Sequence, residues 1–195
     1  MGIRTEVEIE IAATPAEVFE YLVDPEKLEA WYGSGETMPA DRSRLRVGYA
    51  VEGEMAMPLD IDPGHKRGYR FEITGYDPPK LLAFELTYRG GESESVYELE
   101  AGGLGTRLRG FDESDWAELP LVDEVMEMEQ VREQPAWVRK HLRNVIPAQL
   151  ERGRTEIDAG AWDRGMQPKM QAAFEDTVRK LKRAVEEGVS AGRAA

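Results

Sequence analysis

The chain has 195 residues, enough for one large domain that buries its own core without covalent cross-links. It contains no cysteine, which excludes disulfides, thiolate metal sites and a cysteine nucleophile. Lys and Arg number 25 against 38 Asp and Glu, and the net charge of −13 disfavours nucleic acid as a partner. No apolar run is long enough to cross a membrane, and the charged N-terminus is not a signal peptide, so we expect a cytoplasmic protein.

The first predicted element is an alternating strand near the N-terminus. Three apolar residues share one face and three glutamates occupy the other: Val7, Ile9 and Ile11 against Glu6, Glu8 and Glu10. A period of two with one apolar face is typical of a half-buried strand. The glutamates are therefore expected to face solvent.

Two short helices follow this strand. Thr14 precedes Pro15, and Glu17 stands three residues after Thr14, which is the pattern of a capping box with proline in the first turn. The buried stripe of this helix is predicted to be Val18, Phe19, Leu22 and Val23. Asp24-Pro25 repeats the start signal and predicts a second helix carrying Leu28, Trp31 and Tyr32, which ends at Gly33-Ser34-Gly35.

The middle of the chain has the alternation and turn residues of an antiparallel sheet. The predicted strands fall within Arg44–Met55, Tyr69–Tyr76, Leu81–Tyr88, Ser93–Ala101 and Thr106–Phe111. Asp77-Pro78-Pro79-Lys80 is a predicted turn because consecutive prolines cannot donate to a strand ladder. Gly102-Gly103-Leu104-Gly105 has the glycine content of a phosphate loop but the wrong spacing, and a hairpin turn is the better interpretation.

The character of the sequence changes after Phe111. Residues 112–133 are acidic, and residues 135–154 show helical spacing that Pro147 interrupts. The most regular helical pattern starts at Gln167, and its apolar stripe consists of Met170, Phe174, Val178, Leu181 and Val185. Gly188 is the predicted stop signal for this last helix.

Three stretches in this order resemble the START-like (SRPBCC) superfamily of helix-grip folds. They are "ATPAEVFEYLVDPEKLEAWY", "YDPPKLLAFEL" and "SVYELEAGGLGTRLRG". Within that superfamily the chain is most similar to the branch of Hsp90-ATPase-activator homologues and polyketide cyclases/dehydrases. The resemblance covers residues 3–111 and 166–187, and about 45 residues intervene before the last helix, where the activator branch has a short connection.

The resemblance implies an α+β helix-grip fold. A curved antiparallel sheet of six to seven strands wraps around the long C-terminal helix, and the two short helices close one end of a cavity between them. Residues 1–190 would then form one START-like domain, with residues 112–165 as a helical insertion inside it. The insertion is a candidate cover for the cavity or a candidate contact in a homodimer.

The aromatic residues supply the candidate binding site. Those on the short helices or at apolar positions of strands are Trp31, Tyr32, Tyr69, Phe71, Phe84, Tyr88 and Tyr97, joined by Leu86, Met170 and Phe174. In an ordinary protein each of these would be a core residue. In a cavity protein the set would line a pocket for a flat or aliphatic small molecule, with the tyrosine hydroxyls orienting it.

Other kinds of site lack support in the sequence. The two histidines, His65 and His141, have no partner at metal-ligand spacing, so we expect neither a metal nor a cofactor. Ser34 lies directly between two glycines and does not form a nucleophile elbow. Arg107 and Arg109 alternate with Leu108 and are expected to face solvent, and no pair of carboxylates suggests acid–base catalysis.

Three functions are therefore considered. The first is binding of an apolar or aromatic small molecule in an internal cavity. The second is a polyketide cyclase or aromatase-like enzyme, with Tyr88 or Tyr97 as the proton donor. An inward-facing Arg or Glu beside a tyrosine would favour it. The third is a protein-binding module like the Hsp90 co-chaperones, which a large exposed apolar patch would favour.

Overall fold

The described residues of this computed structural model are 3–32, 37–56, 66–88, 91–115, 129–146 and 161–194. They contain strands β1 (Ile3–Ile11), β2 (Ala50–Ala56), β3 (Lys66–Asp77), β4 (Leu81–Tyr88), β5 (Gly91–Ala101) and β6 (Thr106–Asp115). Their helices are α1 (Pro15–Val23), α2 (Pro25–Tyr32), α3 (Glu129–Arg132), α4 (136–146) and α5 (Ala161–Ala194). Ser34, His65 and most of the acidic tract lie outside the described residues.

The strands form one antiparallel sheet in the order β1-β6-β5-β4-β3-β2. Together with α1, α2 and the long α5, this sheet confirms the predicted helix-grip fold. The first strand closes against the last, so β1 and β2 are the two edges. The predicted turns at Asp77–Lys80 and Gly102–Gly105 are confirmed. Gly105 has a φ of +146°, and a side chain there would collide with the backbone of Ala13.

The largest differences from the predicted strand boundaries are at the start of β2 and the end of β6. The strand predicted from Arg44 begins only at Ala50, because residues 42–44 form a 3₁₀ turn instead. The first N–H groups of this turn need a hydrogen-bond acceptor. Asp41 supplies it by accepting a hydrogen bond from the Ser43 amide at 3.0 Å. At the other end, β6 continues past Phe111 to Asp115, so residues 112–115 belong to the sheet.

The N-terminal helices are built as their sequence indicates. Thr14 accepts from the Glu17 amide, and the Glu17 carboxylate accepts from the Thr14 amide at 2.7 Å, which completes the predicted capping box. The predicted stripe of α1 is fully buried. In α2, Leu28 and Trp31 are buried, and the Trp31 indole N–H donates to the Tyr21 carbonyl at 2.9 Å. This bond fixes the angle between the two helices.

Helix α5 covers the concave face of the sheet with its apolar stripe. Val178, Leu181 and Val185 are completely buried, whereas Met170 and Phe174, nearer its start, are only half-buried. The prediction that Gly188 ends this helix is wrong, because α5 continues to Ala194. A Cβ on Gly188 would lie 1.8 Å from the Tyr21 hydroxyl, so this glycine makes room for α1 rather than ending the helix.

The same helix also covers the free edge of β1. The Gln171 side-chain amide donates to the Glu6 carbonyl at 2.8 Å, and Lys182 donates to the Glu10 carbonyl at 2.6 Å. Glu186 accepts from the Ala12 amide at 2.9 Å, and Gln167 donates to the Arg4 carbonyl. Edge strands carry unpaired backbone groups that invite aggregation, and these side chains satisfy them.

Replacing Leu181 tests the central role of α5. We expect Leu181→Ala to lower the free energy of unfolding by about 2–5 kcal/mol, because it leaves a cavity at the contact between helix and sheet. Leu104→Ala is the matched control, since Leu104 is 72% exposed at the hairpin tip and should change stability by less than about 0.5 kcal/mol. Urea denaturation of both variants measures the difference, and equal effects would contradict the packing described here.

Candidate functional site

An apolar pocket lies between the short helices and the concave face of the sheet. Its empty volume is about 420 Å³, including the part open to solvent, and little of it is wide enough to admit a water molecule. Helix α2 and the segment after it form one side, and strands β3, β4 and β5 form the other. The lining residues are Leu22, Leu28, Trp31, Tyr32, Thr37, Met38, Phe71, Leu82, Phe84, Leu86 and Tyr97.

Six of the ten residues proposed from sequence line this pocket: Trp31, Tyr32, Phe71, Phe84, Leu86 and Tyr97. The other four lie elsewhere. Tyr69 and Tyr88 are buried and face each other across β3 and β4, farther along the sheet. Met170 and Phe174 are half-buried on α5, and the Phe174 ring lies 6.4 Å from that of Tyr97.

Sequence reasoning missed Leu22, Leu28, Thr37, Met38 and Leu82 as pocket residues. Leu22 and Leu28 were predicted only as the buried stripes of their helices. Thr37 and Met38 follow residues 33–36 in a segment with no periodic pattern, so nothing local signals that they are buried. Arg42 positions this segment by pairing with Glu20 at 2.6 Å and Asp24 at 2.8 Å on α1.

Aromatic rings make up most of the pocket wall. The Phe84 ring lies 5.0 Å from Phe71 and 6.2 Å from Tyr97, and Trp31 meets Tyr97 edge-on at 6.3 Å. Such tilted and edge-to-face pairs stabilise one another and hold the wall rigid. A ligand in this space would be surrounded by flat, apolar surfaces with few polar groups.

Two tyrosine hydroxyls contribute polarity at one side of the pocket. Tyr97 is completely buried, and this burial, together with the nearby Tyr32 and Asp112, raises its pKa well above the usual range. Tyr32 is 40% exposed as a whole residue, but burial of its hydroxyl and the Asp112 carboxylate raise its pKa to about 12. Both tyrosines therefore stay protonated at neutral pH and can act as hydrogen-bond donors.

Asp112 was expected to lie in a solvated acidic tract or a docking surface, and the structure corrects this. It lies on β6 directly opposite Ser95 of β5, on the concave face. Burial raises the pKa of its carboxyl, while hydrogen bonds from Ser95 and Ser114 lower it less. The structure thus places an inward acidic residue close enough to Tyr32 and Tyr97 to raise the pKa of both hydroxyls. The signal was the parity of Leu108, Gly110 and Asp112 on a strand that ended too early in the prediction.

Arg107 and Arg109 face outward, as predicted. They pair with the glutamates of β1 and β5, for instance Arg109 with Glu6 at 3.3 Å and Arg107 with Glu10 at 3.4 Å. These exposed pairs contribute little to stability. Both arginine side chains project from the outer face of the sheet, so neither can contact a ligand in the pocket.

The described part of the chain contains no group of three or more His, Asp or Glu side chains placed to hold a metal ion. His141 is exposed on α4. Within the same described ranges, no helix is both long and apolar enough to cross a membrane.

Comparison with known families agrees with this geometry. The model of the family described as polyketide cyclase/dehydrase and lipid transport matches residues 2–129. The chain belongs to this family. Its members typically bind hydrophobic ligands, and the match confirms the resemblance to the SRPBCC superfamily.

Solved structures support the same fold at low sequence identity. A protein of unknown function from Staphylococcus aureus, SA2116, aligns over 97% of both chains with a TM-score of 0.59 and 12% identity. An uncharacterized protein from Rhizobium leguminosarum aligns over 96% of both chains with a TM-score of 0.53 and 15% identity.

DynU16, a protein in the dynemicin biosynthetic locus, aligns over 95% of this chain with a TM-score of 0.53 and 16% identity. The family member described here spans about half of that protein, 48% of its length. A search of curated proteins finds no match. At these identities the structural similarities show the fold alone.

The pKa of Asp112 gives a test of its burial by pH. Because the folded protein holds this pKa above its unfolded value, ionising Asp112 costs stability, and this cost grows as pH rises through that window. Asp112→Asn removes the charge, so its free energy of unfolding relative to that of the wild type should increase as the pH rises above about 4, the ordinary pKa of an aspartate. Urea denaturation across this range measures the difference.

Glu113→Gln is the matched control, because Glu113 is the next residue of β6 and is exposed on the outer face. Its stability relative to the wild type should change little over the same pH range. If Asp112→Asn shows the same flat profile, the carboxyl is not buried as described.

Proposed function

We propose that this protein binds an apolar or aromatic small molecule in the pocket between α2 and strands β3–β5. The observation that carries the proposal is the pocket wall itself, in which aromatic and aliphatic side chains converge around a narrow space that opens to solvent. Ligand sites are typically concave and lined mostly by apolar and aromatic side chains with a few polar groups, as this one is. Membership of a family that typically binds hydrophobic ligands supports the same conclusion.

The segment 37–49 is suited to control entry. Thr37 and Met38 form part of the lining, and the surface ion pairs of Arg42 hold this segment against α1. Exposed ion pairs are weak and exchange readily with water. A ligand would therefore enter by displacing a short segment rather than by opening the sheet.

Filling the pocket tests the proposal. Leu86 is half-buried in the pocket wall, so Leu86→Trp should fold, with an unfolding free energy within about 1–3 kcal/mol of the wild type, and occupy the ligand space. A neutral fluorophore, N-phenyl-1-naphthylamine, should bind the wild type with an increase in emission and lose at least about tenfold in affinity in this variant.

Leu104→Trp adds the same bulk at an exposed hairpin position and should bind the fluorophore like the wild type. Phe84→Ala widens the pocket and should keep binding. Its cost should lie below the roughly 3–5 kcal/mol of a fully packed phenylalanine. Unchanged binding in Leu86→Trp, or no binding to the wild type, would refute the proposal.

A second candidate is a cyclase or aromatase-like enzyme, favoured by the inward Asp112 beside Tyr32 and Tyr97. A carboxylate base next to protonated tyrosines has the groups needed to remove a proton beside a carbonyl and to stabilise the enolate oxygen. Deuterium exchange at the methyl group of 2-acetylnaphthalene in heavy water, followed by NMR, measures this activity. It should disappear in Asp112→Asn and Tyr97→Phe and persist in Glu113→Gln.

The third candidate, a protein-binding module, has no comparable support in the described residues. Their exposed large apolar side chains are Tyr32, Val47, Leu104 and Trp137, which lie on separate segments. The proposed dimer contact through residues 112–165 stays a prediction, as does the boundary of that insertion.

A further inference from the structure

Two neighbouring rows of the concave face change from apolar to polar side chains at β5. Register places Ile73, Phe84, Ser95, Asp112 and Thr5 side by side in one row across β3, β4, β5, β6 and β1. The adjacent row, towards the ends of β4 and β6, contains Phe71, Leu86, Ser93, Ser114 and Ile3. The second row returns to an apolar residue at Ile3, so the polar side chains form a local cluster on β5, β6 and β1.

This polar cluster is largely buried. Thr5, Ser95 and Ser114 are all buried, and Asp112 is partly buried. An interior that only needed to be filled would carry aliphatic residues here, because burying hydroxyls and a carboxyl costs free energy. No described Lys or Arg side chain pairs with Asp112, so the carboxylate is not part of a structural ion pair.

The hydrogen bonds within this cluster all point towards Asp112. Ser95 donates to one carboxylate oxygen at 2.7 Å, Ser114 donates to the other at 3.0 Å, and Thr5 donates to the Asp112 carbonyl at 3.3 Å. A serine hydroxyl has one hydrogen, and an ionised carboxylate has none. Once these hydrogens are used, what the cluster offers to another molecule is acceptor lone pairs.

The cluster adjoins the pocket along the same face. Phe84 of the pocket wall is directly opposite Ser95, and Leu86 is directly opposite Ser93. Neighbouring strands are about 4.8 Å apart, so Asp112 lies roughly 10 Å across the sheet from Phe84. Tyr32 and Tyr97 lie between the pocket and the cluster. Both line the pocket, and the negative charge of Asp112 raises the pKa of both hydroxyls.

We infer that Ser95, Asp112 and Ser114 form a hydrogen-bond-accepting subsite that selects ligands carrying a hydroxyl or amine donor on an apolar ring. The ring occupies the aromatic pocket and the donor reaches past Tyr97 to the carboxylate. This inference rests on the proposed function and deepens it. A purely hydrocarbon ligand would cover this carboxylate without a hydrogen bond to its remaining lone pairs, which is unfavourable, so the subsite discriminates against it.

Three ligands of one ring skeleton test this by isothermal titration calorimetry at neutral pH. 2-Methoxynaphthalene has no donor, 2-naphthol has a neutral donor, and 2-naphthylmethylamine has a cationic one. We expect one or both donor ligands to bind the wild type at least about tenfold more tightly than the methoxy compound, as a hydrogen bond to a charged group provides. If the two donors bind with similar affinity, the subsite recognises the donated hydrogen bond. If the amine binds much more tightly than the naphthol, the subsite recognises the positive charge.

Variants of β6 assign the preference to the subsite. Asp112→Asn should bring the ratio of donor to methoxy affinities close to one, with the methoxy affinity unchanged, whereas Glu113→Gln should keep the wild-type ratio. The double variant Ser95→Ala with Ser114→Ala should reduce this ratio of affinities partially. It provides the test if Asp112→Asn does not fold. A ratio that is the same in all variants would overturn the inference.

The outcomes also separate the two proposals. If 2-methoxynaphthalene binds but the donors give no advantage, the pocket is a ligand site and the subsite is wrong. If none of the three binds the wild type while Leu86→Trp also leaves fluorophore binding unchanged, both proposals fail.

Discussion

The contact between α5 and the sheet is the interaction on which the rest of this structure depends. One helix supplies the apolar cover for the concave face and the hydrogen-bonding partners for the exposed edge of β1. A curved antiparallel sheet with one apolar face and an unpaired edge is not stable in water by itself. Because a single helix meets both needs, its position along β1 also decides how much of the concave face stays uncovered.

The cover is uneven, and this unevenness creates the site. Val178, Leu181 and Val185 are completely buried, whereas Phe174 and Met170 are only half-buried towards the start of the helix. Gly110 lets the Phe174 ring approach β6, since a Cβ there would lie 3.0 Å from it. The closely packed part of α5 stabilises the fold. The less closely packed part, near the start of the helix, leaves room for an aromatic pocket and, beside it, for a carboxyl group.

A buried carboxyl without a cationic partner is unfavourable for folding, and its presence next to two buried tyrosine hydroxyls is informative for that reason. Groups that are held in an unfavourable ionisation state tend to gather where a protein binds or transforms a ligand. The family match accounts for the apolar pocket but does not distinguish a carrier from an enzyme. The cluster of Ser95, Asp112 and Ser114 is the feature of this face that the family match does not account for.

The sequence by itself determined the elements and their order. Alternation in β1, the Thr14–Glu17 capping box and the turn at Asp77–Lys80 are local patterns, and the structure confirms each of them. Strand parity also placed Phe84, Leu86 and Tyr97 on the concave face, because a period of two fixes which side chains share a face. Recognition of the family added that this face would adjoin a cavity.

Only the tertiary structure decided which of these residues meet. The fate of Gly188 depends on Tyr21 of another element, and the burial of Thr37 and Met38 depends on Arg42 reaching α1. Asp112 looked like the first residue of a solvated acidic tract, because three of the four residues from Asp112 to Asp115 are acidic and mask the alternation of β6. Its role follows from pairing with Ser95 and Thr5 across two strands, and register between distant segments is set by the whole sheet rather than by either segment alone.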